Sequence, residues 1–73
     1  MEKEKVFLQK WPITLAQFLK WQGCAENGAQ AKEMVKEGCA AVNGKICLIP
    51  GKQLFPEDCI LFYPTEKEYH LKE

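Results

Sequence analysis

The chain has 73 residues, with ten lysines against ten acidic residues, one histidine and a formal net charge of zero at pH 7. This length admits one domain and buries only about 60% of its unfolded surface, which leaves little room for a deep catalytic cavity. A hydrophobic share of 47% is ordinary for a globular domain and too high for a disordered segment, and no apolar run approaches the ~20 residues of a membrane-spanning helix.

The opening MEKEKVFLQK alternates acid and base and holds no apolar signal stretch, so a cytoplasmic location is expected. Residues 5–9 (KVFLQ) predict a short strand. Trp11-Pro12 then forces an extended or turning backbone, because the residue before proline avoids the α region. Thr14 starts a first helix over LAQFLKWQ: with Gln17 three residues on it forms a capping box, and Ile13 and Phe18 suit the hydrophobic staple. Leu15, Phe18 and Leu19 make the buried stripe, and Gly23 supplies a left-handed stop. A second helix repeats this grammar. Asn27 is the N-cap with Gln30 three residues later; Ala31, Met34 and Val35 share one side, and Gly38 ends it. Gly28, Lys32 and Lys36 lie on the opposite arc. About ten residues are marginal as an isolated helix, so packing on the first must hold it.

After Gly38 the period changes. CAAV, Asn43-Gly44 and KICLI predict a β-hairpin, since Asn-Gly supplies the positive φ angles of a type I′ turn. Pro50-Gly51 marks a second turn, CILFY a last strand, and Pro64 its end. The expected architecture is α+β: two short helices packed on a small antiparallel sheet of three strands with a β-hairpin. Residues 1–63 read as the domain, and residues 64–73 as a charged, solvated C-terminal tail. His70 lies in that tail as a surface residue, and Tyr69 beside it carries no motif.

Four cysteines at 24, 39, 47 and 59 show no CxxC pair. Structural zinc sites bring ligands in close pairs, so the expected role is four reduced thiols used as small hydrophobes, with no metal and no cofactor. Nothing in the chain calls for an oxidising compartment. No serine occurs, and no base is placed beside Cys24, so no enzyme is expected. From Lys10 to Phe55 six lysines face three glutamates, so that segment carries +3 and the flanks balance it. All basic residues are lysine, a point charge without arginine's planar fork, which suits phosphate better than base edges. Trp11 and Trp21 either pack at the edge of the first helix or stack on unpaired bases.

The ordered pieces Gln30-Ala31-Lys32, Met34-Val35, Gly38, Val42-Asn43-Gly44-Lys45 and Pro56-Glu57-Asp58 resemble the RNA-binding domain named after ribosomal protein S-four, also called the alpha-L motif. The match spans roughly residues 13–63. Each piece alone is common; the ordered set is specific. Length and the string Asn27 to Lys32 look most like the short bacterial members that consist of this domain alone.

The resemblance implies the alpha-L fold and non-catalytic binding of structured RNA, commonly ribosomal or transfer RNA. For this chain that means ribosomal RNA or a ribosome assembly particle, bound as a monomer without a membrane. Carried over by position, the RNA-binding residues are Asn27, Gly28, Gln30, Lys32 and Lys36 on the second helix, Asn43, Gly44 and Lys45 in the hairpin, and Lys52 in the next turn. Many family members carry Ser-Arg at the helix start and several arginines after the hairpin. This chain has Asn27-Gly28 and LIPGKQ instead. That departure motivates an alternative: a protein-interaction adaptor that kept the fold and lost most RNA affinity.

Overall fold

In a computed structural model that describes residues 2–8 and 10–72, the two helix-start signals are realised at atomic detail. Helix α1 spans Leu15–Trp21 and α2 spans Gly28–Lys36. At α1 the Thr14 hydroxyl accepts from Gln17 N–H at 3.2 Å while Gln17 Oε1 accepts from Thr14 N–H at 3.1 Å, which closes the capping box. At α2 Asn27 Oδ1 accepts from Gln30 N–H at 2.8 Å; Gln30 Oε1 reaches one residue further back, to Glu26 N–H at 2.6 Å.

Both helices end alike. Gly23 and Gly38 adopt φ of 79° and 83°. Cys24 N–H and Cys39 N–H then return to the carbonyls of Leu19 and Met34 at 2.9 and 3.1 Å. This is the Schellman arrangement, which needs a residue tolerant of the left-handed region just past the helix.

Among the described residues seven strands stand where four were expected, one over residues 5–9 and three after the helices: β1 (Glu2–Phe7), β2 (Ile13–Thr14), β3 (Ala40–Val42), β4 (Lys45–Ile46), β5 (Gln53–Leu54), β6 (Cys59–Phe62) and β7 (Lys67–Lys72). Five form one sheet in the order β1-β7-β6-β3-β4, and β2 pairs with β5 separately. All ladders are antiparallel except β1 with β7. The hairpin turn is as expected, with Asn43 and Gly44 at φ 52° and 86° between β3 and β4. KICLI is not a full strand, however; Lys45 and Ile46 pair with β3, and Cys47 N–H adds one bond to Ala40 O at 3.0 Å.

The expected strand over residues 5–9 is displaced toward the N-terminus. It ends at Phe7, Leu8 adds one further bond to the Lys72 carbonyl at 3.1 Å, and Gln9 lies outside the described residues. The Trp11–Pro12 peptide bond is cis.

The larger correction concerns the closing segment. Residues 67–72 are no frayed tail but an inner strand, with β1 on one side and β6 on the other. Alternation explains it. In KEYHLK, Tyr69 and Leu71 point inward and are buried, while their neighbours carry the charge. The Tyr69 ring meets Phe18 of α1 edge to face, with centroids 5.3 Å apart and planes at 86°. The core therefore lies between the helices and the inner sheet face, and Leu15, Phe18, Leu19, Val35, Ile60 and Leu71 are fully enclosed in it. The result is an α+β fold of two helices on a mostly antiparallel sheet.

Candidate nucleic-acid interface

Helix α2 presents the first group of candidate residues. Its intrahelical ladder opens with Ala31 N–H bonding Asn27 O at 3.0 Å. The amides of Gly28 and Ala29 precede that ladder and face outward at the positive end of the helix dipole. Gln30 holds its side-chain oxygen on Glu26 N–H, which leaves its amide nitrogen for a ligand. At 100° per residue Lys32 and Lys36 share one flank with Gly28, while Glu33 and Glu37 fall on another. Both lysines are exposed.

The hairpin and the loop after it hold the rest. Lys45 and Lys52 line one open groove of about 580 Å³, together with Asn43 and Asp58. Asn43 is largely engaged within the fold. Its Nδ2 donates to Asp58 Oδ1 at 3.1 Å, its Oδ1 accepts from Cys59 N–H at 2.9 Å, and its own N–H bonds Cys59 O at 2.8 Å. Gly44 makes the turn. The turn around Lys52 is fixed by α1, whose first amides, Leu15 and Ala16, bond the carbonyls of Lys52 and Pro50 at 2.9 and 3.1 Å. That contact satisfies the start of α1, so α2 is the helix whose first amides stay open.

The two groups meet at one end of α2. A Cβ at Gly38, just past its C-terminus, would stand 3.7 Å from both Ile46 Cγ2 and Leu48 Cδ2. The hairpin thus adjoins the Lys36 end of the helix. Asn27, Gly28 and Gln30 lie at the far end, about 13 Å along the axis for nine residues, with Lys32 between.

The lysines on this side stand outside the ion pairs of the fold. Among the described residues the lysine–carboxylate pairs are Lys67–Glu4 and Lys72–Glu57, and His70 Nε2 lies 3.1 Å from Glu68 Oε1. None involves Lys32, Lys36, Lys45 or Lys52, and neither Glu33 nor Glu37 pairs with a lysine.

Two features escaped the sequence reading. Ile46, Leu48, Ile49 and Phe55 are 48–64% exposed and line or border the same groove; the signal was the run ICLI, too apolar for a two-residue edge strand to cover. The tryptophans also divide. Trp11 packs against the core with Nε1 donating to Leu8 O at 3.1 Å, whereas Trp21 is 52% exposed.

No described helix is long and apolar enough to cross a membrane. No curated protein matches the chain significantly. The family comparison is decisive: the S4 domain matches residues 6–72, from the end of β1 through β7. With its capped helix pair, Asn-Gly hairpin and outward lysines, the chain belongs to the S4 domain family, whose members are RNA-binding modules and generally not enzymes.

Proposed function

We propose that the chain is a non-catalytic module that binds structured RNA in the cytoplasm as a monomer, with ribosomal RNA or a ribosome assembly particle as its partner. One observation carries this reading. Lys32, Lys36, Lys45 and Lys52 stand exposed on α2, β4 and the loop before β5 with no carboxylate partner among the described residues. Solvated lysine is common on any surface; four without ion pairs, two on the flank of α2 below its open start and two at the hairpin and loop beside its other end, suit a row of backbone phosphates. With lysine alone and no arginine, recognition runs through backbone phosphates and the shape of the RNA rather than base edges.

The test is a titration with a structured ribosomal RNA fragment at several salt concentrations. Four phosphates neutralised give a slope of log affinity on log salt of roughly −3 to −4. A flat salt response, or no binding at low salt, overturns the reading.

A second reading has its own support. The exposed Ile46, Leu48, Ile49 and Phe55 replace the cationic loop expected of the family and form an apolar patch suited to a protein partner. Capture from lysate with and without ribonuclease separates the two: partners that survive nuclease favour the adaptor, and partners lost with it favour RNA.

A further inference from the structure

The outer face of the β6–β7 pair carries three metal-type donors that RNA binding does not use. Alternation along β7 sends Tyr69 and Leu71 into the core and leaves Glu68 and His70 on the opposite face. On β6 it buries Ile60 and Phe62 and leaves Cys59 outward. The register sets Cys59 directly across from His70. Two residues spaced i, i+2 on one strand and one cross-strand neighbour therefore converge on a single point. Cys59 Sγ lies 3.1 Å from Glu68 Oε1 and 3.9 Å from His70 Nε2, and His70 Nε2 lies 3.1 Å from the same Glu68 oxygen. Among the described residues no other group of cysteine, histidine and acid side chains is gathered this closely.

The geometry points to a binding site for a borderline divalent transition metal of the zinc or cobalt type, held by Cys59 Sγ, Glu68 Oε1 and His70 Nε2. A tetrahedral centre with metal–nitrogen and metal–oxygen bonds near 2.0 Å and a metal–sulfur bond near 2.3 Å has ligand-to-ligand edges of about 3.3–3.6 Å. The three separations bracket that range, so the donors reach it by shifts of a few tenths of an ångström. A thiolate and an imidazole select against calcium and magnesium, which take oxygen ligands. The face is open, so water fills the fourth position.

Binding displaces the Cys59 thiol hydrogen, now directed at Glu68, and that proton leaves to solvent. The resulting thiolate and the Glu68 carboxylate balance the dication. Lys3 and Lys5 stand across from Glu68 and His70 in the parallel ladder, and their charge moderates the affinity. A bound metal would tie β6 to β7, the strand that joins β1 to the rest of the sheet.

The full chain, reduced and stripped with chelator, is titrated with cobalt(II) and then zinc(II). One equivalent of cobalt is expected to give the visible bands of a four-coordinate ion together with a near-ultraviolet thiolate charge-transfer band, both removed by zinc. C59S and H70A are each expected to weaken cobalt binding more than about tenfold, while C47S leaves it unchanged. His70 is the only histidine in the chain, so its ring signals in a proton spectrum report ligation directly, even should a variant fail to fold. Zinc is expected to shift those signals in the unmutated protein. Cobalt spectra without the thiolate band, binding unaltered in C59S, or His70 signals unmoved by saturating zinc would each overturn the site. None of these readouts depends on RNA.

Discussion

Asn43 and Asp58 are joined side chain to side chain across fifteen positions of sequence, Nδ2 donating to Oδ1 at 3.1 Å. The other oxygen of Asp58 accepts from Phe55 N–H at 2.8 Å, so one carboxylate holds the β3–β4 turn and the β5–β6 turn at once. The clamp steadies the hairpin in which Lys45 pairs with Val42. Asn43→Gly isolates the clamp, because glycine accepts the φ of 52° at this position without strain. Loss of its two side-chain bonds is expected to cost about 1–2 kcal/mol. The urea midpoint should fall with its slope unchanged.

The strand β7 makes a stronger demand. Leu71 is wholly enclosed, and Tyr69 packs edge to face on Phe18. Leu71→Ala is expected to cost about 2–5 kcal/mol, a large part of the stability of any domain this small. Deleting residues 65–73 removes the strand between β1 and β6 altogether and should abolish cooperative unfolding by circular dichroism. A truncated chain that still melts cooperatively would mean that β7 is an accessory to the fold.

These positions also show what the sequence discloses. Both helix caps and the Asn43-Gly44 turn are written in short range, because capping hydroxyls, amides and positive-φ residues act within four positions, and each appears where the residues place it. The sheet is different. Strand β1 pairs in parallel with β7, some 65 residues away (Glu2 with Lys67), and no local pattern announces such a pairing. KEYHLK did carry a period of two, yet with only Tyr69 and Leu71 apolar its charge suggested a solvated end. The site followed the same division. The lysines of α2 could be placed on one flank from helical geometry alone, but that the hairpin meets the Lys36 end and not the Asn27 end depends on the tertiary contact at Gly38.

The charge flank of α2 gives the next expectation. Lys32→Glu with Lys36→Glu exchanges residues of similar helix propensity on an exposed face, so stability should stay within about 0.5 kcal/mol. RNA affinity should fall at least tenfold at low salt, with a shallower salt slope. Filter binding and thermal unfolding on the same sample separate the two effects. Unchanged affinity would move the contact surface off α2.

The two tryptophans should respond unequally. Trp11 packs on the core and donates to Leu8 O, while Trp21 stands half in solvent. Trp11→Ala is expected to cost about 1–3 kcal/mol, less than a fully buried tryptophan, and Trp21→Ala under about 1 kcal/mol. Acrylamide should quench the fluorescence of a Trp11→Phe protein, which retains Trp21, far more than that of Trp21→Phe. Equal quenching would show that the two rings are equally open to solvent.

Alkaline pH tests the chemistry of the outer sheet face in metal-free protein. Burial pushes the Cys59 thiol up from 9.0 to about 11, helped by its hydrogen bond to Glu68 and that residue's charge and opposed by Lys3. The folded state thus holds this proton more tightly than the unfolded chain. Its contribution to stability is complete below about pH 9 and is lost as pH rises toward about 11, because the unfolded thiol ionises first. The measurement is a difference, which cancels what the rest of the chain contributes: urea midpoints of the unmutated protein and Cys59→Ala, each at about pH 8 and about pH 10.5. The unmutated protein should lose more stability between the two values than the variant. Equal losses would mean that Cys59 ionises in the fold as it does in the unfolded chain, and that its contact with Glu68 does not hold the proton.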